Sequence, residues 1–322
     1  MRLDAARRTS AMNPQGPRGD TQWTIRRRRR APAPGCHEGE IRMTSIPRGT
    51  LAALAFASAV WLTATPAAAN DVDTCENASG DEAIAACTRV INSGLFSGRK
   101  LAALLNMRCY ELNAKRESDK AIADCSQAIR LHENYPSAFF NRGNAYRAKA
   151  QYDRSIEDYS QAIRLDPKDT DSIINRGNSY NNKGQYDRAI ADYDQALRLK
   201  PDDADAFINR GVAYKSKGQH DRAIADYDQA IRLSPDDAAA FYNRGIAYDD
   251  KRQYDRAIAD YDQAIRLNPR YAKAFYNRGL SRERNNDPQR ALGDFRTFAE
   301  LAPADPDGRR AVERVTKALR GR

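Results

Sequence analysis

Residues 253–269 read QYDRAIADYDQAIRLNP, and nearly the same words stand at 185–201 (QYDRAIADYDQALRLKP) and 219–235 (QHDRAIADYDQAIRLSP). Within each, small and aromatic residues fall three and four apart, as at Ala189, Tyr193 and Ala196, which is the spacing of one helical face. Asp194 and Arg198 are an acid and a base four apart, expected to pair along the helix surface. Working outward, Asn-Arg-Gly recurs at Asn141, Asn175, Asn209, Asn243 and Asn277, with a constant period of 34. Self-similarity at such a period marks a solenoid, whose units each bury their apolar face only by stacking on neighbours.

Counting from Pro136, Gly143 is eighth, Tyr146 eleventh, Ser155 twentieth, Tyr159 twenty-fourth, Ala162 twenty-seventh and Pro167 thirty-second. The next three copies place Ala189, Ala223 and Ala257 where Ser155 stands. This grammar resembles the tetratricopeptide repeat (TPR) family, each of whose units is a pair of antiparallel helices. The resemblance implies an all-α fold, a right-handed α-solenoid of stacked TPR helix hairpins with a C-terminal capping helix. Full copies span 136–169, 170–203, 204–237, 238–271 and a divergent 272–305, where Arg282 replaces the tyrosine and Phe298 the alanine. A further divergent copy covers 102–135. Before it, 70–101 reads as an N-terminal cap with one repeat-like helix at 81–91 followed by a loop, NSGLFSGRK. Residues 306–322 form the last helix, with Ala311, Val312, Val315 and Leu319 laid over the last repeat.

Local chemistry agrees with these boundaries. Gly177, Ala189 and Ala196 permit close helix approach, and Ile173, Tyr180, Tyr193 and Leu199 are expected to fill the gaps between helices. Gly184 and Gly218 suit a left-handed residue after the first helix, Pro201 ends the second, and Asp203 and Asp237 stand ready to cap the next.

The formal net charge of +10 is concentrated at the N-terminus, where residues 1–42 carry ten arginines against four acids. From residue 70 onward only a small positive surplus remains, so no nucleic-acid partner is expected for a chain that starts there. Residues 43–69 have the three parts of a secretory signal: Arg48, an apolar stretch at 51–64, and Ala67 and Ala69 before a cut at Ala69/Asn70. The apolar stretch is short of the roughly 20 residues a spanning helix needs, so no membrane span follows cleavage, and the expected location is the periplasm or outside the cell. Residues 1–42 read as a basic extension from a misassigned start; if retained, their arginines offer phosphate contacts to nucleic acid.

Behind an export signal, four cysteines allow three pairings. Exported bacterial TPR proteins, which this chain resembles, carry an early cysteine pair, implying Cys75–Cys87. Cys109 and Cys125 hold the eighth and twenty-fourth repeat positions on facing helices, which makes Cys109–Cys125 the second bridge. Cys87–Cys109 is the rival pairing, and buried free thiols packing as small hydrophobes are the other alternative.

In the family, first helices line a concave groove. Carried over by position, its fifth-position residues here are Phe140, Ile174, Ile208, Tyr242 and Tyr276. The sixth are Asn141, Asn175, Asn209, Asn243 and Asn277, and the ninth Asn144, Asn178, Val212, Ile246 and Leu280. The ladder of amides either hydrogen-bonds an extended peptide backbone or links adjacent repeats. The groove is expected to be polar in its N-terminal half, near Asn181 and Asn182, and apolar towards Tyr242 and Tyr276. The lysine-and-asparagine clamp of chaperone-binding relatives is absent, because Phe140, Asp205 and Asn209 occupy its places. Arg142, Arg176, Arg210, Arg244 and Arg278 form a second ladder, expected to pair with the aspartates of ADYD, such as Asp192 and Asp226.

No catalytic constellation, phosphate loop or metal motif is legible. His132 and His220 stand alone, and Cys36 beside His37 is too little for a metal site. The expected function is a non-catalytic scaffold without cofactor or metal, binding an unidentified protein or peptide segment in the concave groove. The competing expectation is an envelope adaptor that uses convex or terminal surfaces.

Overall fold

The computed structural model describes residues 66–321; the basic extension and most of the signal-like segment lie outside them. Fifteen helices follow one another, and no strand occurs among the described residues. They are α1 (Pro66–Asn77), α2 (Asp81–Asn92), α3 (Gly98–Ala114), α4 (Ser118–Leu131), α5 (Pro136–Ala148), α6 (Tyr152–Leu165), α7 (Thr170–Asn182) and α8 (Tyr186–Leu199). Then come α9 (Ala204–Ser216), α10 (His220–Leu233), α11 (Ala238–Asp250), α12 (Tyr254–Leu267), α13 (Ala272–Arg284), α14 (Pro288–Leu301) and α15 (Pro306–Arg320). From α3 to α14 each odd-numbered helix packs on the next as a hairpin, and each hairpin packs on its successor. None of the helices is long and apolar enough to cross a membrane.

The hairpin is set by one small–large pair. A Cβ on Gly143 would stand 2.8 Å from Cε1 of Tyr159, and the same collision recurs for Gly177 with Tyr193, Gly211 with Tyr227, Gly245 with Tyr261 and Gly279 with Phe295. Each aromatic ring is thus pressed onto the backbone of the facing helix and is essentially inaccessible. The turn between the helices is equally uniform. Gly184 and Gly218 take φ of 74° and 73°, as expected, and Ala150 and Arg252 adopt the same left-handed conformation without being glycine. The next N–H then reaches back to the first helix, as Gln185 N does to Tyr180 O at 2.9 Å, the bond that satisfies a helix-terminal carbonyl. Asp203 and Asp237 accept from Ala206 N (3.0 Å) and Ala239 N (2.8 Å) and cap α9 and α11.

Hairpin α3–α4 departs from this scheme. Cys109 and Cys125 replace the glycine and the aromatic, both fully buried, with Cα atoms 5.7 Å apart. Cys75 and Cys87 face each other between α1 and α2 at 4.8 Å. Both separations are within the reach of a disulfide.

Four details differ from the sequence reading. The repeat-like helix at 81–91 is not alone, because α1 packs on it as the other half of a hairpin. The segment after it is partly helical, since α3 begins at Gly98. Asp194 does not pair with Arg198 on its own helix: its carboxylate accepts from Arg210 Nη1 at 2.6 Å, since a partly buried arginine fork on α9 outcompetes a surface neighbour. Leu199 fills no gap and is 43% exposed, because it follows the last inward turn of α8. At the C-terminal end Ala311 and Val315 are buried against Phe295, with Val312 and Leu319 beside them. Phe298, the bulky replacement, fits because Gly308 on α15 leaves space; a Cβ there would lie 2.8 Å from its ring.

Candidate peptide groove on the first helices

The first helices α3, α5, α7, α9, α11 and α13 touch one another in succession, and no such series joins the second helices among the described residues. First helices therefore line the inner side of the stack, and second helices splay on the outer side.

An arginine staple fixes each step. Arg176 on α7 donates through Nε and Nη2 to Asp192 on α8 (2.9 and 2.7 Å) and through Nη1 to Ser160 on α6 (3.2 Å). One planar side chain thus ties three helices of two repeats, a use for which the rigid guanidinium fork is suited. Arg108, Arg142, Arg210, Arg244 and Arg278 repeat it on Asp124, Asp158, Asp226, Asp260 and Asp294. The third contact changes along the chain: Thr88, Ser126 and Ser160 serve the earlier arginines, whereas Asp194, Asp228 and Asp262 serve the later ones at 2.6 Å. Hydrogen bonds to Asp192 hold the Arg176 guanidinium charged, its pKa raised. Burial in turn pushes the Asp192 carboxyl up against the pull of the arginine. The aspartate-paired arginines are thus committed to structure rather than offered to a ligand.

The ninth-position residues have an internal task as well. Tyr159 and Tyr193, buried on the second helices, donate to Oδ1 of Asn144 and Asn178, each at 2.7 Å. Val212 and Ile246 offer no acceptor at that position. The Tyr227 hydroxyl is buried without a partner, and in the next copy but one the hydroxyl is gone altogether, at Phe295. Burial drives the phenol of Tyr159 up to about 12 and those of Tyr193, Tyr227 and Tyr261 up further.

The sixth-position amides divide into two sets. Asn141 Nδ2 donates to Asn106 Oδ1 at 3.0 Å, and Asn277 Nδ2 donates to the Tyr242 hydroxyl at 3.0 Å. In both, an asparagine meets a polar fifth-position side chain 35 residues earlier. Where that earlier residue is Phe140, Ile174 or Ile208, no such bond forms. Asn175 and Asn209 have no side-chain hydrogen-bond partner among the described residues, and Asn243 donates only to Ala239 O, at 2.9 Å, in its own helix. Asn181 Oδ1, on the same stretch of α7, is also unpartnered.

The fifth-position side chains are packed within their own hairpins and against the next. Phe140 packs on Tyr159, Ile174 on the Tyr193 cluster, and Ile208 between the Ala230 and Tyr227 clusters, with Val212 in the latter. Tyr242 stacks on Tyr261 and Tyr271. Tyr276 and Leu280 pack on Phe295 beneath α15, and Tyr276 also meets Phe298. Ile246 is half-buried. Tyr242 and Tyr276 therefore join packed aromatic groups rather than lining an open pocket. The 35-residue offset between a polar fifth-position residue and the next asparagine is the signal that sequence reading missed. It was legible in Asn106 and Tyr242.

Comparison with known proteins agrees with this geometry. Family models for the TPR repeat match 177–218 and 213–251, and tetratricopeptide-repeat models match 136–169, 159–191 and 245–316. No curated protein matches the chain. Among solved structures, a tetratricopeptide repeat protein from Parabacteroides merdae is 17% identical with a TM-score of 0.63, covering 78% of this chain and 97% of that one. PilF of Pseudomonas aeruginosa is 14% identical with a TM-score of 0.57, covering 68% and 98%. These two likenesses show the fold alone. MamA is 26% identical over 50% of this chain and 95% of its own, with a TM-score of 0.46. The chain belongs to the tetratricopeptide repeat family, and its fold is that of a protein-interaction scaffold.

Proposed function

We propose that this protein is an exported, non-catalytic scaffold that holds an extended peptide segment of a partner protein along the central inner face. The peptide backbone bonds to Asn175, Asn209 and Asn243. The observation that carries this reading is the division of the asparagine ladder: its end members are tied into neighbouring repeats, while Asn175 and Asn209 have no side-chain partner among the described residues and Asn243 bonds only within its own helix. Asn209 is only 8% exposed, yet its amide atoms still reach the inner surface, where a peptide C=O or N–H laid along α7, α9 and α11 can bond to them. Backbone recognition of this kind is tolerant of sequence, and side-chain selectivity then falls to the surroundings of Asn178, Val212 and Ile246.

A displayed library of random 12-residue peptides, selected on the full chain, tests this. The selected peptides are expected to lose about tenfold or more in affinity for an N175A/N209A variant, since two hydrogen bonds at about 1 kcal/mol each are removed. Selected peptides that bind both proteins equally would overturn the reading.

Export rests on the signal-like segment at 43–69 and on the two facing cysteine pairs, which suit an oxidising compartment. Cleavage before Asn70 falls in the first turn of α1 and leaves Cys75 and Cys87 in place. Intact-mass measurement of the protein made in a Gram-negative host reads both points. A chain starting at Asn70 with four thiols protected until reduction is expected, and a full-length chain with free thiols would contradict it.

A further inference from the structure

The outer face carries charges the fold does not use. In the last turn of α6, α8, α10 and α12 an arginine stands at the same repeat position, Arg164, Arg198, Arg232 and Arg266, all exposed; Arg130 holds it in α4 and Glu300 in α14. None has an ion-pair partner among the described residues, because the aspartates four residues before the last three are drawn across the helix interface to Arg210, Arg244 and Arg278. The near-neutral balance of the repeats thus conceals a segregation of charge. The carboxylates of Asp194, Asp228 and Asp262 are spent between helices, and the guanidiniums four residues on are left outside, with Asp202 and Asp236 the exposed acids nearest in sequence.

A last-turn cation complements the helix dipole by a few tenths of a kcal/mol, and that role asks nothing of its neighbours. Here the neighbours are unusual. Among the described residues three large hydrophobic side chains are exposed, and two of them, Leu199 at 43% and Leu233 at 41%, directly follow Arg198 and Arg232. Two adjacent repeats therefore present the same consecutive pair, an exposed arginine without an ion pair followed by an exposed leucine, one repeat apart at the ends of α8 and α10.

We propose that this repeated pair is a second docking surface, for an acidic segment of another protein whose carboxylates alternate with apolar side chains. Carboxylates fit the arginine forks bidentately, and apolar residues cover the leucines. The surface has no exposed aromatic beside the arginines on which a base could stack, as single-strand binding requires. This site lies on α8 and α10, opposite the inner-face amides, and does not depend on the groove reading.

The test uses the full chain and a synthetic peptide of alternating Glu and Leu in which one leucine is replaced by photoreactive diazirine-leucine, with cross-links mapped by mass spectrometry. Cross-links are expected at 196–201 and 230–235, falling about tenfold or more in R198E/R232E as opposite charges become like charges, and falling also in L199S/L233S. Circular dichroism should show the helices of both variants intact, since all four side chains are exposed. A single-stranded DNA oligonucleotide should compete weakly. Cross-links confined to residues 1–65 or to α7, α9 and α11 would overturn the proposal. So would cross-links that persist in R198E/R232E, or DNA that displaces the peptide as well as the peptide displaces itself.

Discussion

The earlier and later repeats solve the same packing problem with different chemistry. In 136–203 the buried tyrosine hydroxyls are satisfied by Asn144 and Asn178, and the arginine staples finish on serines. In 204–305 the ninth-position residues are apolar, the tyrosine hydroxyl is stranded at Tyr227 and absent at Phe295, and the staples finish on aspartates. Polar bonding thus moves from the hairpin interior to its outer seam, at constant backbone geometry. The lesson is that the pressed glycine–aromatic contact is constant from α5–α6 to α13–α14, while the hydrogen bonds around it are interchangeable. Hairpin α3–α4 is the extreme case, with a cysteine pair in place of that contact.

The largest effect expected from breaking this comparison is reduction of the cysteines. A bridge closing a loop of this size contributes about 3 kcal/mol, so reductant should speed amide exchange across α1 to α4 while α5 to α14 keep their protection. Uniform loosening of every repeat would show that the first hairpins are not separately stapled.

Aspartate removal should separate the halves. Asp192→Ala leaves Arg176 with Ser160 alone and is expected to cost about 3 kcal/mol, as for a buried pair broken on one side. Asp226→Ala leaves Arg210 with Asp194 and should cost about 2 kcal/mol. Urea unfolding of the two variants measures the difference, and equal losses would mean that the third contact contributes nothing.

Alkali provides a further handle. Burial raises Tyr159 and Tyr242 to about 12, above an unfolded value of about 10. The stability they contribute is complete below pH 10 and is lost as the pH rises towards 12, at about 2.7 kcal/mol for each tyrosine. Helical circular dichroism should therefore collapse in that window; helix retained well above pH 12, with every tyrosine ionised by absorbance, would contradict the burial.

The smallest effect is the most pointed. Tyr193→Phe strands Asn178 and should cost about 1 kcal/mol, whereas Tyr227→Phe removes a hydroxyl that has no partner and should be neutral or slightly stabilising. Melting of the two variants decides it, and a reversed order would undo the account of the ninth position.

Most of the fold was legible because it rests on local rules repeated at a fixed period. Gly184 and Gly218 marked the turns, Asp203 and Asp237 the caps, and Arg176 its aspartate. What escaped reading depends on a residue in another repeat. The destination of Asp194 was hidden because i and i+4 neighbours are visible in sequence, while a guanidinium 16 residues away on the next hairpin is not. The exposure of Leu199 was hidden because the inward stripe of α8 ends one residue earlier than its periodicity suggests. The division of the asparagine ladder was hidden for the same reason as Asp194: identical triplets at Asn141 and Asn175 differ only in what stands 35 residues before them.

The central claim is that the middle of the inner face is the part left open for a peptide. Hydrogen–deuterium exchange of the full chain, with and without a peptide selected on it, tests this most directly. Protection is expected on α7, α9 and α11, centred on Asn175, Asn209 and Asn243, with α3, α5 and α13 unchanged. Protection confined to α8 and α10, or to the ends of the stack, would contradict it.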